Sequence, residues 1–287
     1  MNDEYSQTAL MAAAARAAHL VVDRAPFIFE DTLAEALLGD RAEELIGYHR
    51  AYGEHLILSG VRAQVTTRSR YTELRLAELA GFGLKQYVIL GAGLDTFANR
   101  SPLAREVTVF EVDHPATQRW KRGLLTAAGV APQDGPVFVE TDFEADDLVE
   151  RLVAQGFDPA EPALVSWLGV SMYLTAQAIG TTLTAVGRLA PGSELVMEYA
   201  LPPALCDETA TAFGQMAMAA AAERGEPWLS FFTPEELSAT LAEHGLTVAE
   251  HVGQREAADP ESWLSNERLL PPENCRLVRA VVPAPAA

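Results

Sequence analysis

Tyr87-Val88-Ile89-Leu90-Gly91-Ala92-Gly93-Leu94-Asp95-Thr96 carries an apolar run straight into a glycine turn. A short apolar run that stops at glycine reads as a strand buried on both faces. The two glycines leave no Cβ in the way, so a ligand can lie close to the backbone. About twenty residues on, Val107-Thr108-Val109-Phe110-Glu111-Val112 is a second strand, and Asp113 follows it. An acid at that point can accept from both hydroxyls of a ribose. A Gly-x-Gly alone is a weak signal. The strand before it and the acid after it predict a nucleoside site at the carboxyl ends of parallel strands.

Outward from this pair the same rhythm repeats. Strands are expected at 137–140, 163–166, 194–199, 247–252 and 276–282, with helices at 116–128, 146–155 and 176–189 between the earlier ones. Strand–helix–strand repeated in this way predicts a parallel sheet with helices on both faces. Ser6 or Thr8 caps an expected helix through His19, Asp31 a short one through Leu38, and 61–80 is helical until Gly81 and Gly83. After Tyr199 a long helical stretch covers 203–224. Thr233-Pro234-Glu235-Glu236 then opens another helix, with Thr as cap and Pro in the first turn. The division expected is a helical cap at 1–83 and a core at 84–287, with a helical insertion at about 200–232.

Composition narrows the function classes. The chain has 287 residues, 49% of them hydrophobic and 21% charged, as in a globular protein. Asp plus Glu number 40 against 21 Lys plus Arg, a formal net charge of −19. Such a surface repels phosphate backbones and anionic lipid, so no nucleic-acid or membrane partner is expected. Cys206 and Cys275 match no metal spacing, which argues against a metal site or disulfide framework and for a reducing cytoplasm. The acidic start, with Arg16 and His19 interrupting the alanines, does not read as a secretion signal. Nothing in the sequence sets the oligomeric state.

Thr96 stands where a dinucleotide fold wants its third glycine, which argues against NAD. S-adenosylmethionine has no phosphates and needs no anion cradle. At this point the chain resembles the leucine carboxyl methyltransferase family, in particular its bacterial S-adenosylmethionine-dependent O-methyltransferases. The resemblance rests on Arg68-Ser69-Arg70-Tyr71, the loop from Ile89 to Thr96, and Phe110-Glu111-Val112-Asp113-His114-Pro115. Further matches are Thr141-Asp142-Phe143, the run from Trp167 to Thr175, Glu198-Tyr199, the run from Pro227 to Pro234, and Phe29-Glu30-Asp31 with Leu33-Ala34.

The resemblance implies a seven-stranded, mostly parallel class I methyltransferase sheet, Rossmann-like, and a residue-by-residue site. Arg68 pairs with the cofactor carboxylate, a task suited to a planar fork, with Arg62, Arg70 and Arg75 as competitors. Gly91 and Gly93 pass beneath the methionine moiety. Asp113 holds the ribose, or caps the helix that starts at Pro115. Asp142 and Phe143 take the adenine, or Asp142 closes a turn. Glu198 lies near the cofactor or acceptor mouth, or simply ends a strand. Tyr173 and Tyr199 follow strands four and five, where a small-molecule acceptor would sit. Many family members carry Glu where this chain has Leu168. No histidine stands out as a base, so proximity catalysis is expected. The function implied is O-methylation of a small carboxylate or hydroxyl, as in polyketide tailoring. The alternatives are a nicotinamide-dependent oxidoreductase and a cofactor-binding protein without transfer activity.

Overall fold

The structure is a computed structural model, and it describes residues 6–130, 135–266, 269 and 271–284. Seven strands form one sheet: β1 (Gln86–Leu90), β2 (Thr108–Asp113), β3 (Val137–Glu140), β4 (Ala163–Trp167), β5 (Glu194–Ala200), β6 (Thr247–Gly253) and β7 (Cys275–Val281). Their order is β3-β2-β1-β4-β5-β7-β6. β7 alone runs antiparallel, wedged between β5 and β6. β1, β4 and β5 are buried along their whole length, as their unbroken apolar runs require. The order reverses between β1 and β4, so the loops after these strands flank the crevice where open α/β sheets bind ligands.

Side chains alternate across the sheet. Val88, Leu90, Phe110, Val112, Trp167, Met197 and Tyr199 face one way, onto α6 (Leu148–Ala154), α7 (Ala176–Gly187) and α9 (Pro234–Glu243). Tyr87, Ile89, Val109, Leu164 and Val196 face the other way, onto α3 (Leu56–Gly81) through Leu76 and onto Phe97 of α4 (Phe97–Arg100). The N-terminal helices have a core of their own. α1 (Gln7–Val22), capped by Ser6, packs Leu10, Ala13, Ala14 and Ala17 against Leu45 and Ile46 of α2 (Ala42–Tyr52) and against Leu94 and Leu125. Alanines on α1 allow this close approach.

Three helical expectations need correction. Asp31 starts no helix: its carboxylate accepts from the Leu33 and Ala34 amides and from Arg16, and the chain beyond forms one 3-10 segment, Ala36–Arg41, broken by a left-handed Gly39. The stretch 203–224 is not continuous. Pro203–Leu205 is a 3-10 turn, Cys206 is extended, and Asp207 caps α8 (Glu208–Glu223). The third is α2, which the sequence pattern does not reveal.

Candidate active site

β1 delivers its chain to Gly91 at φ +66° and Gly93 at φ +49°, the left-handed region that L side chains avoid. The turn is fixed from β2, because the Gly91 and Ala92 amides both donate to the Val112 carbonyl. A Cβ on Gly91 would overlap the Val170 side chain after β4. One on Gly93 would come within 2.9 Å of the Ala9 Cβ, so the first turn of α1 rests on the loop. Arg16 of α1 donates to the Leu94 carbonyl at 2.6 Å and to Asp31 at 2.8 Å, holding that helix to the same loop.

Asp113 ends β2 directly beside the glycines. Its Oδ2 accepts from the Gly93 amide at 2.5 Å and its Oδ1 from the His114 amide at 2.7 Å. Burial raises its pKa, and those two amides oppose the rise. Each oxygen keeps acceptor capacity for a further donor. Cap of α5 (Pro115–Ala127) is His114 rather than Asp113: its Nδ1 accepts from the Ala116 amide. Two residues back on the same face of β2, Glu111 is buried against Lys121 of α5 at 2.5 Å, and its Oε1 has no partner. Burial pushes Glu111 up to about 7 despite the lysine.

β3 runs beside β2, and the Thr141 amide donates to the Asp113 carbonyl, which brings Asp142 and Phe143 next to Asp113 along the rim. Asp142 also closes a turn, accepting from the Glu144 amide at 3.0 Å. Phe143 is half-buried against the core.

On the other side of the crevice, Arg68 of α3 donates to Glu198 of β5 at 2.5 Å. The Glu198 side chain is 1% exposed and that of Arg68 16%. The guanidinium lies where Gly169, after β4, lacks a Cβ: an added one would sit 2.6 Å away. The three competing arginines go elsewhere: Arg62 to Asp23, Arg75 to Glu194, and Arg70 to no partner among the described residues. Gln254, the first residue after β6, donates to the other Glu198 oxygen at 3.1 Å, and its own Oε1 is buried without a partner. Sequence reasoning missed Gln254. A polar residue just past the carboxyl end of a strand was the available signal.

The two tyrosines part company. Tyr173 sits on the 3-10 turn Ser171–Tyr173, packed edge-on against Trp228 at 6.4 Å and near Arg68, Thr8 and Glu226. Burial pushes its phenol up to about 12. The Trp228 Nε1 is buried without a partner. Tyr199 points to the opposite face of the sheet, where its hydroxyl meets His251 Nδ1 at 2.8 Å, and the structure does not bring it to the mouth. Leu168 packs among Tyr71 and neighbouring apolar groups, so the acid at this side of the crevice is Glu198. Above it, the Thr8 amide donates to Glu226 at 3.0 Å, joining α1 to the segment after α8. Among the described residues no group of His, Cys, Asp and Glu could hold a metal ion, and no helix is long and apolar enough to cross a membrane.

The model of the leucine carboxyl methyltransferase family matches residues 9–187, well over half of the chain. The chain belongs to the leucine carboxyl methyltransferase family. A Bacillus subtilis (strain 168) relative, YktD, described as an S-adenosyl-L-methionine-dependent methyltransferase, is 35% identical over 90% of this chain and 91% of its own. A Mycobacteroides abscessus relative of the same description is 32% identical over 69% of this chain and 67% of its own. The crystal structure of a methyltransferase from Thermobifida fusca shares the fold with a TM-score of 0.61 at 20% identity, covering 99% of this chain and 97% of that one. The sheet is therefore the class I methyltransferase sheet, and this leucine carboxyl methyltransferase family member is an S-adenosylmethionine-dependent methyltransferase. Membership removes both alternatives, the nicotinamide-dependent oxidoreductase and the protein without transfer activity.

The residues present fit that cofactor. A buried guanidinium–carboxylate pair at the crevice is complementary to an amino-acid zwitterion. Glycines at two positive-φ positions keep the loop low, and an aspartate with spare acceptor capacity stands where a diol needs one.

Proposed function

We propose that the protein methylates an oxygen of a small-molecule acceptor, a carboxylate in preference to a hydroxyl, in secondary metabolism such as polyketide tailoring and in the cytoplasm. One observation carries the choice of a carboxylate: all six histidines already have structural partners. His19 meets Asp23, His49 meets Arg62, His244 meets Thr184, His251 meets Tyr199 and Ser238, and His55 and His114 accept from backbone amides. With Tyr173 held neutral by burial, no group at the mouth is poised to take a proton near pH 7. A carboxylate acceptor is already anionic and needs no base.

Arg68 and Glu198 take the carboxylate and ammonium of the methionine head. Gly91 and Gly93 run beneath it, Asp113 holds the ribose diol, and Asp142 with Phe143 takes the adenine. Gln254 fixes the Glu198 rotamer, so the acid meets its partner without reorganising. When bound, the cofactor supplies an electrophilic methyl group on its sulfonium. The chain supplies alignment and exclusion of water. Tyr173 and Trp228 wall the acceptor side. The cap at 1–83 and the insertion at about 200–232 select the acceptor, and the Thr8–Glu226 bond between them supports this.

Transfer of labelled methyl into a panel of carboxylates, phenols and alcohols tests the reading, with turnover expected on carboxylates. Turnover confined to amines or phenols would overturn the acceptor assignment. Calorimetry with S-adenosylhomocysteine tests the site: Asp113→Ala should weaken binding by about 1–3 kcal/mol, the cost of leaving the diol unpaired. An unchanged dissociation constant removes Asp113 from the site.

A further inference from the structure

A groove of about 470 Å³ lies on the outer side of α3, away from the Arg68–Glu198 pair. Its volume falls in the range of small-molecule sites, roughly 300–1,000 Å³. Phe27, Phe29, Leu74 and Phe97 give it apolar walls. Leu74 is 53% exposed there, unusual for a leucine on a helix otherwise packed against the sheet. Four charged residues line the same space: Glu30, Arg70, Glu73 and Arg100. Two of them are spent on each other, since Arg100 pairs with Glu73 while lying over the Phe29 ring at 4.7 Å. The other two, Arg70 and Glu30, are exposed and have no partner among the described residues.

An apolar slot that leaves one cation and one anion unpaired, with its remaining charges balanced, is complementary to a ligand that is apolar in body and neutral in sum. We infer that this groove is a second binding site, for a small zwitterion with an apolar body, the chemistry of an aromatic or branched-chain amino acid. Arg70 takes the carboxylate, Glu30 takes the ammonium, and the side chain lies among Phe27, Leu74 and Phe97. Phosphate esters are disfavoured, because a dianion would face two carboxylates and one free guanidinium. The site is independent of the methyl acceptor. It reaches the cofactor loop through Arg100, whose Nε donates to Thr96 at 3.1 Å.

Ligand-observed NMR titration of the whole protein with L-phenylalanine tests this. Saturable binding is expected, at least tenfold weaker for phenylalanine amide, which lacks the anion, and for N-acetylphenylalanine, which lacks the cation. Arg70→Gln and Leu74→Glu, both surface changes, should each weaken it to the same degree while leaving S-adenosylhomocysteine binding unchanged. Absence of binding, equal affinity for the two blocked analogues, indifference to both variants, or displacement of phenylalanine by S-adenosylhomocysteine would each overturn the assignment. Displacement would put the amino acid in the cofactor crevice instead.

Discussion

Adding one methyl group to the cofactor loop, Gly91→Ala, should cost about 2–5 kcal/mol of stability. Two separable contributions make up that figure. Gly91 sits at φ +66°, and an L residue held in that region costs roughly 1–2 kcal/mol. The new Cβ would also lie inside the Val170 side chain, where carbon atoms should stand about 3.5–4.0 Å apart. Overpacking of this kind costs typically 1–3 kcal/mol. The loop cannot slide away, because the Gly91 and Ala92 amides are bonded to the Val112 carbonyl of β2. Urea unfolding at pH 7.5 of the wild type, Gly91→Ala, Val170→Ala and the double variant reads the two parts. Removing the Val170 methyls should recover the steric part and leave the backbone part, giving a coupling of at least ~1 kcal/mol between neighbours in contact. A cost under ~1 kcal/mol for Gly91→Ala, or strict additivity in the cycle, would refute the reasoning.

Two further outcomes are expected. His49 is buried beside Arg62, and burial first, then that guanidinium, lowers its pKa from 6.5 to about 4. The unfolded chain binds the proton first, so this contribution is complete above pH 6.5 and is lost as pH falls toward 4. It is worth on the order of 3 kcal/mol, and the loss in urea midpoint between pH 7 and 4.5 should shrink in His49→Gln. Lys121→Met strands Glu111 in the core without its cation, and about 3–5 kcal/mol should be lost. Glu111→Gln in the same background should restore part of it, and a single-variant cost below ~1 kcal/mol in the same urea assay would contradict the pairing.

All seven strands are legible because burial on both faces leaves unbroken apolar runs that stop at glycine or an acid. The helices were harder where their caps are made by something other than a side chain. α2 starts from Arg41, already in helical conformation and with no capping bond, and Gly47 interrupts its pattern. Asp31 has the residue type of a cap, yet Arg16 claims its carboxylate, a partner 15 residues away that no local pattern reveals. Residues fixed by strand ends fared best. Gly91, Gly93, Asp113, Asp142 and Phe143 gather along one rim because the parallel register puts them there. The Arg68–Glu198 pair spans 130 residues, and only the resemblance picked Arg68 from its neighbours. Alternation along β5 separates Glu198 from Tyr199, so both could not face the same crevice.

The reversed direction of β7 decides where a handle can be attached. Its first residue, Cys275, pairs with Ala200 at the rim that carries the catalytic loops, and Val281 pairs with Glu194 at the far rim. Val282 continues there, exchanging backbone hydrogen bonds with Gly192 and Ser193. A purification tag or surface tether joined downstream therefore departs from the underside of the sheet, and immobilised protein would present its open mouth to solution.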